Sequence, residues 1–162
     1  MKVPYERLTD VDGVIDNIRR LSAKTVILDV EPLVAIWDTD QESLVRGVAG
    51  ILDRVTAEAA SVQVVVFATN SRRRLPATLE RSVPHVIYLA TAGKPLRTAP
   101  YRHLAQPGVV VGDQLATDGV LAWRLDFSFL HCRPHTLPVP LGPRIMHNLG
   151  RPLRPLLFTR TG

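Results

Sequence analysis

TVILDV (25–30) is an unbroken apolar run that carries an acid, Asp29, near its end. A strand wetted on one face alternates apolar with polar residues; an unbroken run belongs to a strand covered on both faces. VQVVVFA (62–68), HVIYLA (85–90) and GVVVG (108–112) have the same character, and WRLDFSFLH (123–131) reads as a fifth strand. Between these runs lie helical patterns. One covers about 40 to 60, with Leu44, Val48, Ile51, Leu52 and Val55 on its apolar side; others cover 72–81 and 114–122. Residues 5–22 carry Leu8, Val11, Val14, Ile15, Ile18 and Leu21 at spacings near the helical period, which predicts an amphipathic helix or helical turns ahead of the first strand. Strands alternating with helices pair in parallel through right-handed crossovers. The expected fold is therefore a single three-layer, Rossmann-like α/β domain over residues 1–133, with helices on both faces of a parallel sheet.

Composition narrows the class further. The chain has 162 residues, 46% of them hydrophobic, which supports a folded core and excludes wholesale disorder. No apolar run reaches the roughly 20 residues of a membrane-spanning helix. The opening MKVPYERLTDVDG lacks the apolar centre of a signal peptide, and the single cysteine, Cys132, has no partner for an internal disulfide. Both features predict a cytoplasmic protein. The net charge of +5 is concentrated at one end: residues 127–162 hold Arg133, Arg144, Arg151, Arg154 and Arg160 and no acid. Six of the thirteen prolines lie from Pro134 onward, which predicts a proline-rich basic C-terminal extension over 134–162, with a short helix around 143–150. Such an extension suits an anionic membrane surface, peripheral at the inner face, or else is a solvated basic end that only aids solubility. It lacks the interleaved aromatics of a single-strand nucleic-acid platform, which argues against that partner.

In an open parallel sheet, ligands bind beyond the carboxyl ends of the strands. The polar residues of this chain fall there. Asp29 closes the first apolar run, Thr69-Asn70-Ser71 follows the second, Lys94 comes just after the third, and Asp113 ends the fourth, with Asp118 five residues on. Two strand-end carboxylates, Asp29 and Asp113, form a hard-oxygen site suited to Mg²⁺. Asp29 is also placed to attack phosphorus and form an aspartyl-phosphate. Thr69 and its neighbouring N–H groups suit phosphoryl oxygens, as does the compact charge of Lys94, with Asp118 in support of the metal shell or of Lys94.

These stretches resemble the motifs of the haloacid dehalogenase (HAD) phosphatase superfamily, and more closely its small class III branch, the YqeG-type proteins related to phosphatidylglycerophosphate phosphatases. ILDVEPLVAIW (27–37) matches the first motif, FATNS (67–71) the second, AGKP (92–95) the third and VVVGDQLATD (109–118) the fourth. The resemblance spans about residues 4 to 157. It implies a site without a large cap domain, a Mg²⁺ cofactor held by Asp29, Asp113 and the backbone carbonyl of Glu31, and a phosphorylated substrate bound by Thr69, Asn70 and Lys94. The implied activity is phosphomonoester hydrolysis through Asp29, on a membrane-lipid phosphate such as phosphatidylglycerophosphate. The first motif departs from the family pattern Asp-x-Asp-x-Thr. Glu31 stands at the second aspartate, the general acid/base, and Leu33 at the threonine. Glutamate keeps the carboxyl but is one methylene longer, and a displacement near 1 Å costs roughly 10²-fold in rate. The alternative reading is a catalytically weak or inactive HAD-like protein with a binding or regulatory role.

Three other signals carry less. His131, Cys132 and His135 form an HCxxH cluster without a fourth ligand at suitable spacing, so a structural role is expected. Arg72-Arg73-Arg74 either meets an anionic substrate or lies on a solvated helix face. Trp37 is read as packing near the site entrance.

Overall fold

The computed structural model describes residues 1–35, 40–75, 84–133, 145, 148 and 150–160. Seven parallel strands form one sheet: β1 (Val3–Leu8), β2 (Thr25–Asp29), β3 (Val64–Ala68), β4 (His85–Leu89), β5 (Gly108–Gly112), β6 (Ser128–Cys132) and β7 (Phe158–Arg160). Their spatial order is β4-β3-β2-β5-β6-β1-β7. The helices are α1 (Val11–Arg20), α2 (Gln41–Glu58), α3 (Val120–Leu125) and the short α4 (Arg154–Leu157). Both α1 and α2 begin at an aspartate whose side chain accepts from a backbone N–H three residues on: Asp10 from Gly13 at 2.8 Å, Asp40 from Ser43 at 2.6 Å. These caps satisfy donors that the first helical turn leaves open.

The unbroken apolar strands are buried on both faces, as their sequence requires. Val26 and Leu28 of β2, with Val65 and Phe67 of β3, pack on one side against Ile15 and Ile18 of α1 and Leu44, Val48 and Leu52 of α2. Ile27, Val66 and Val110 point the other way and meet Tyr101, Leu121, Phe129 and Phe158. Successive strand residues leave opposite faces of the sheet, so each run serves two cores at once.

The order of the strands places the functional edge. From β2 the chain steps outward through β3 to β4, then returns to β5 on the opposite side of β2. The order in which the chain adds strands thus reverses between β2 and β5, and such a switch point opens a crevice at the carboxyl ends. Asp29 ends β2 and Asp113 follows β5, one on each side of that crevice.

Three expectations change. Residues 5–22 are not one helix: β1 occupies the start and α1 begins only at Val11, after the Asp10 cap. In β1, Val3 and Tyr5 are buried and alternate with more exposed residues, a two-residue period beneath the helical one that the later apolar positions impose. Residues 123–131 are not one strand. Helix α3 runs to Leu125, Asp126 turns in the left-handed region (φ 58°), and β6 starts at Ser128. The segment expected to lie beyond the domain supplies its last strand: Phe158, Thr159 and Arg160 pair with Val3, Pro4 and Tyr5. The expected helix over 72–81 falls largely outside the described residues, as do Trp37, His135 and most of 143–150.

Candidate acidic centre at the sheet crevice

Lys94 joins the strand ends. Its Nζ lies 2.8 Å from Asp29 Oδ1 and 2.7 Å from Asp118 Oδ1, and donates to the Ala68 carbonyl at 3.1 Å. It is reached from Gly93, whose φ of 65° lies in the left-handed region that a side chain strains. Asn70 fixes this loop from below, donating to the Lys94 carbonyl at 3.1 Å and accepting from the Lys94 N–H at 3.2 Å. Asp118 is fully buried on the wide helical turn Leu115–Gly119, and its other oxygen accepts from the Gln114 N–H at 3.3 Å. Gly112 allows that approach: a Cβ there would fall 2.3 Å from the Asp118 carboxyl.

Asp29, Asp113 and Asp118 each offer a carboxylate oxygen, all within 4.8 Å of one another. Among the described residues this is the one group of three or more acidic, histidine or cysteine side chains placed to share an ion. Asp113 Oδ1 is buried with no hydrogen-bond partner. A bare buried acceptor costs free energy that a bound cation removes. With both Asp118 oxygens engaged, Asp29 and Asp113 are the pair with oxygens to spare. The donor set suits a hard divalent ion.

Three buried acids around one ammonium cannot all ionise cheaply. Burial, then the charge on Asp118, pushes Asp29 well above the usual carboxylate range, with Lys94 opposing. Burial and Asp118 likewise push Asp113 up to about 7. For Lys94 burial acts downward, but the carboxylates of Asp118 and Asp29 outweigh it, and the ammonium is held more firmly than in an ordinary lysine.

Glu31 points elsewhere. Its carboxylate accepts from the Thr69 hydroxyl at 2.7 Å and the Ser71 hydroxyl at 2.9 Å, with an Arg73 guanidinium nitrogen at 3.5 Å. Ser71 N–H also donates to Thr69 Oγ1 at 2.9 Å, and Arg72 turns the chain there with φ 63°. Asp29, Glu31, Asn70, Ser71, Lys94, Gln114 and Thr117 line a cleft of about 130 Å³. That is room for a few water-sized groups.

All seven candidate residues therefore meet at one crevice, in two linked groups: Asp29, Lys94, Asp113 and Asp118 around the ammonium, and Glu31 with Thr69, while Asn70 ties the second loop to the third. Four further residues join them: Tyr5, which the sequence does not mark, and Ser71, Arg73 and His131, which it marks only within FATNS, the arginine run and the HCxxH cluster. Ser71 lies within the FATNS stretch, where the hydroxyl spacing to Thr69 was the available signal. His131 faces Gly112 in the β5–β6 register. Its Nε2 lies 2.9 Å from the Asp113 carbonyl and its Nδ1 2.8 Å from the Tyr5 hydroxyl, so it braces the strand end that carries Asp113. Cys132, its neighbour, is buried and directs its thiol at the Asp10 carbonyl (3.7 Å).

The class that fold and site define is a doubly wound α/β protein with a buried acid–ammonium centre at the sheet's switch point. No family model, curated protein or solved structure matches the chain. No helix among the described residues is long and apolar enough to cross a membrane.

Proposed function

We propose that this chain is a Mg²⁺-dependent phosphomonoester hydrolase of the HAD type. The reading rests on one observation above all: the carboxylates of Asp29 and Asp113 converge beside Lys94, and one buried Asp113 oxygen has no hydrogen-bond partner. Asp29 and Asp113 would hold the ion, with the Glu31 carbonyl as a third ligand. When bound, Mg²⁺ supplies positive charge that lowers the repulsion between a carboxylate nucleophile and a phosphate anion. Lys94 holds Asp29 through Oδ1, which leaves Oδ2 for in-line attack on phosphorus. That attack forms an aspartyl-phosphate and expels the alkoxide; water then cleaves the acyl phosphate. Asp118 positions Lys94. Thr69, Asn70 and the N–H groups of their loop receive the phosphoryl oxygens, and Glu31 moves the proton. A phosphate borne by a membrane lipid, such as phosphatidylglycerophosphate, is the substrate class suggested by the resemblance together with the basic C-terminal segment.

A second reading has its own observation. Glu31 occupies the hydroxyls of Thr69 and Ser71, so a phosphoryl group must displace a carboxylate to use them. That arrangement favours slow turnover, or binding without it. Phosphate release from an aryl phosphate with Mg²⁺ separates the two. The hydrolase reading expects metal-dependent release by the wild type. The binding reading expects none, and a gain on the order of 10²-fold in Glu31→Asp, whose shorter side chain cannot reach both hydroxyls.

The ion is expected to compete with a proton on Asp113. Mg²⁺ affinity, followed by calorimetry, should rise by up to about tenfold per pH unit as pH climbs toward about 7, then level off. Without metal the stability trend has the opposite sign. A folded-state value above the unfolded 3.8 means that the folded chain holds the proton longer, so stability falls as pH rises from about 4 to about 7. Affinity independent of pH across that window would remove Asp113 from the ligand set.

A further inference from the structure

Beside the acidic centre, and sharing Asp113 with it, lies a larger cleft of about 290 Å³. Four arginines line it: Arg7 on β1, Arg133 just past β6, and Arg151 and Arg154 from the C-terminal segment. Asp113 is the single acid in its lining. Among the described residues none of the four arginines forms an ion pair with a carboxylate.

The cleft is built by the fold. Tyr5 and Arg7 are two apart on β1, and Arg7 is the register partner of His131, so these side chains leave one face of the sheet together. Arg133 follows His131 by two, and its N–H bonds the Leu8 carbonyl at 3.0 Å. The C-terminal segment is seated against the same face. A Cβ on Gly150 would lie 2.7 Å from that of Leu115, so the backbone packs directly on the turn that carries Asp118. The Arg154 guanidinium stands 4.8 Å from the centre of the Tyr5 ring, and β7 then pairs with β1. Three of the five arginines in the basic segment thus converge with a fourth from the start of the chain.

Gathering four guanidiniums against one carboxylate is unfavourable unless an anion offsets the repulsion. Guanidinium presents paired N–H donors that match two oxygens of a phosphate group, and stacking on Tyr5 holds one such fork in place. We propose that this cleft is a binding site for a phosphate-type group, mono- or diester, separate from the Asp29 centre and adjoining it at Asp113. A ligand bearing two phosphate groups would reach both places. That extension rests on the hydrolase reading; the cleft itself does not.

The test uses the isotope-labelled full chain, with inorganic phosphate added in the absence of divalent metal and backbone amide shifts recorded. The amides of Arg7, Arg133, Arg151 and Arg154 should move and saturate. Replacing one arginine pair with glutamine, Arg151→Gln with Arg154→Gln, should weaken that binding about tenfold or more. The other pair, Arg7→Gln with Arg133→Gln, should do the same and serves if the first variant unfolds. Co-sedimentation with phosphatidylcholine vesicles, with and without phosphatidylglycerol, tells the sources apart. Binding to the anionic vesicles that both variants lose marks a lipid phosphate; phosphate-induced shifts without vesicle binding mark a soluble one. Shifts confined to Thr69, Ser71 and Lys94 would overturn the cleft and uphold the acidic centre. Shifts confined to the arginines would uphold the cleft whatever the aryl phosphate assay gives. Identical shifts with chloride at matched ionic strength, or no change of phosphate and vesicle binding in either variant, would end the proposal.

Discussion

Asp29→Asn should abolish metal-dependent phosphate release, a fall on the order of 10⁴-fold. The amide offers no anionic oxygen for attack on phosphorus and is a poor ligand for a hard cation, so both roles of Asp29 vanish together. Loss of fold would mimic that result, and the surroundings of Asp29 argue against it. The carboxyl is held well above its usual range by burial and by Asp118, so ionising it costs stability rather than adding to it. Asparagine fills nearly the same space and can still accept from Lys94 through its Oδ1. Urea unfolding of the variant without metal should therefore match or exceed the wild type, while Mg²⁺ no longer raises the midpoint. Activity retained within about tenfold of the wild type would take Asp29 out of the chemistry.

Lys94→Met carries the largest expected effect on stability. The ammonium is buried, with Asp29 and Asp118 on it at 2.8 and 2.7 Å. Methionine fills much of the volume but leaves the buried acids facing one another without the ammonium between them. Removing one partner of a buried charge pair costs about 3–5 kcal/mol. For a domain of this size that is roughly 10 °C in the thermal midpoint. The loss should shrink in acid, because protonated carboxyls no longer repel, and Mg²⁺ should restore part of it by replacing the missing charge. Asp29→Asn added to Lys94→Met should also recover part, since it removes one of the stranded acids, and the double-mutant cycle measures that coupling. A loss below about 1 kcal/mol would mean that the centre does not depend on the ammonium for its balance.

The acidic centre was largely legible from position along the chain. An apolar run buried on both faces leaves its first polar residue at the rim, so Asp29, Thr69 and Asp113 could be placed from the sequence pattern. Lys94 and Asp118 followed from their distance to the nearest strand end. Glu31 was legible as a carboxyl near that rim but not in its aim. Whether it turns to the cleft or to Thr69 and Ser71 depends on a loop whose hydroxyl partners come from a different strand. The side of the sheet formed by β1 and β7 was less legible than the rest. Strand β1 contains Pro4, Glu6 and Arg7, and β7 is three residues long. Neither has the continuous apolar run of a central strand: β7 is an edge strand paired only with β1, and in β1 only Val3 and Tyr5 are fully buried, while Pro4, Glu6 and Arg7 are more exposed.

Residue type and spacing alone determined a parallel α/β sheet with acids, hydroxyls and an amine at one rim, since burial on two faces demands apolar runs and the rim is where those runs end. Tertiary structure alone decided which of these groups touch. The return of the chain from β4 to the far side of β2 set Asp113 opposite Asp29, and the pairing of β7 with β1 brought Arg151 and Arg154 to Arg7 from the other end of the chain. Local preference acts over a turn or a strand; contacts between distant segments are fixed only when the whole sheet closes over its two cores.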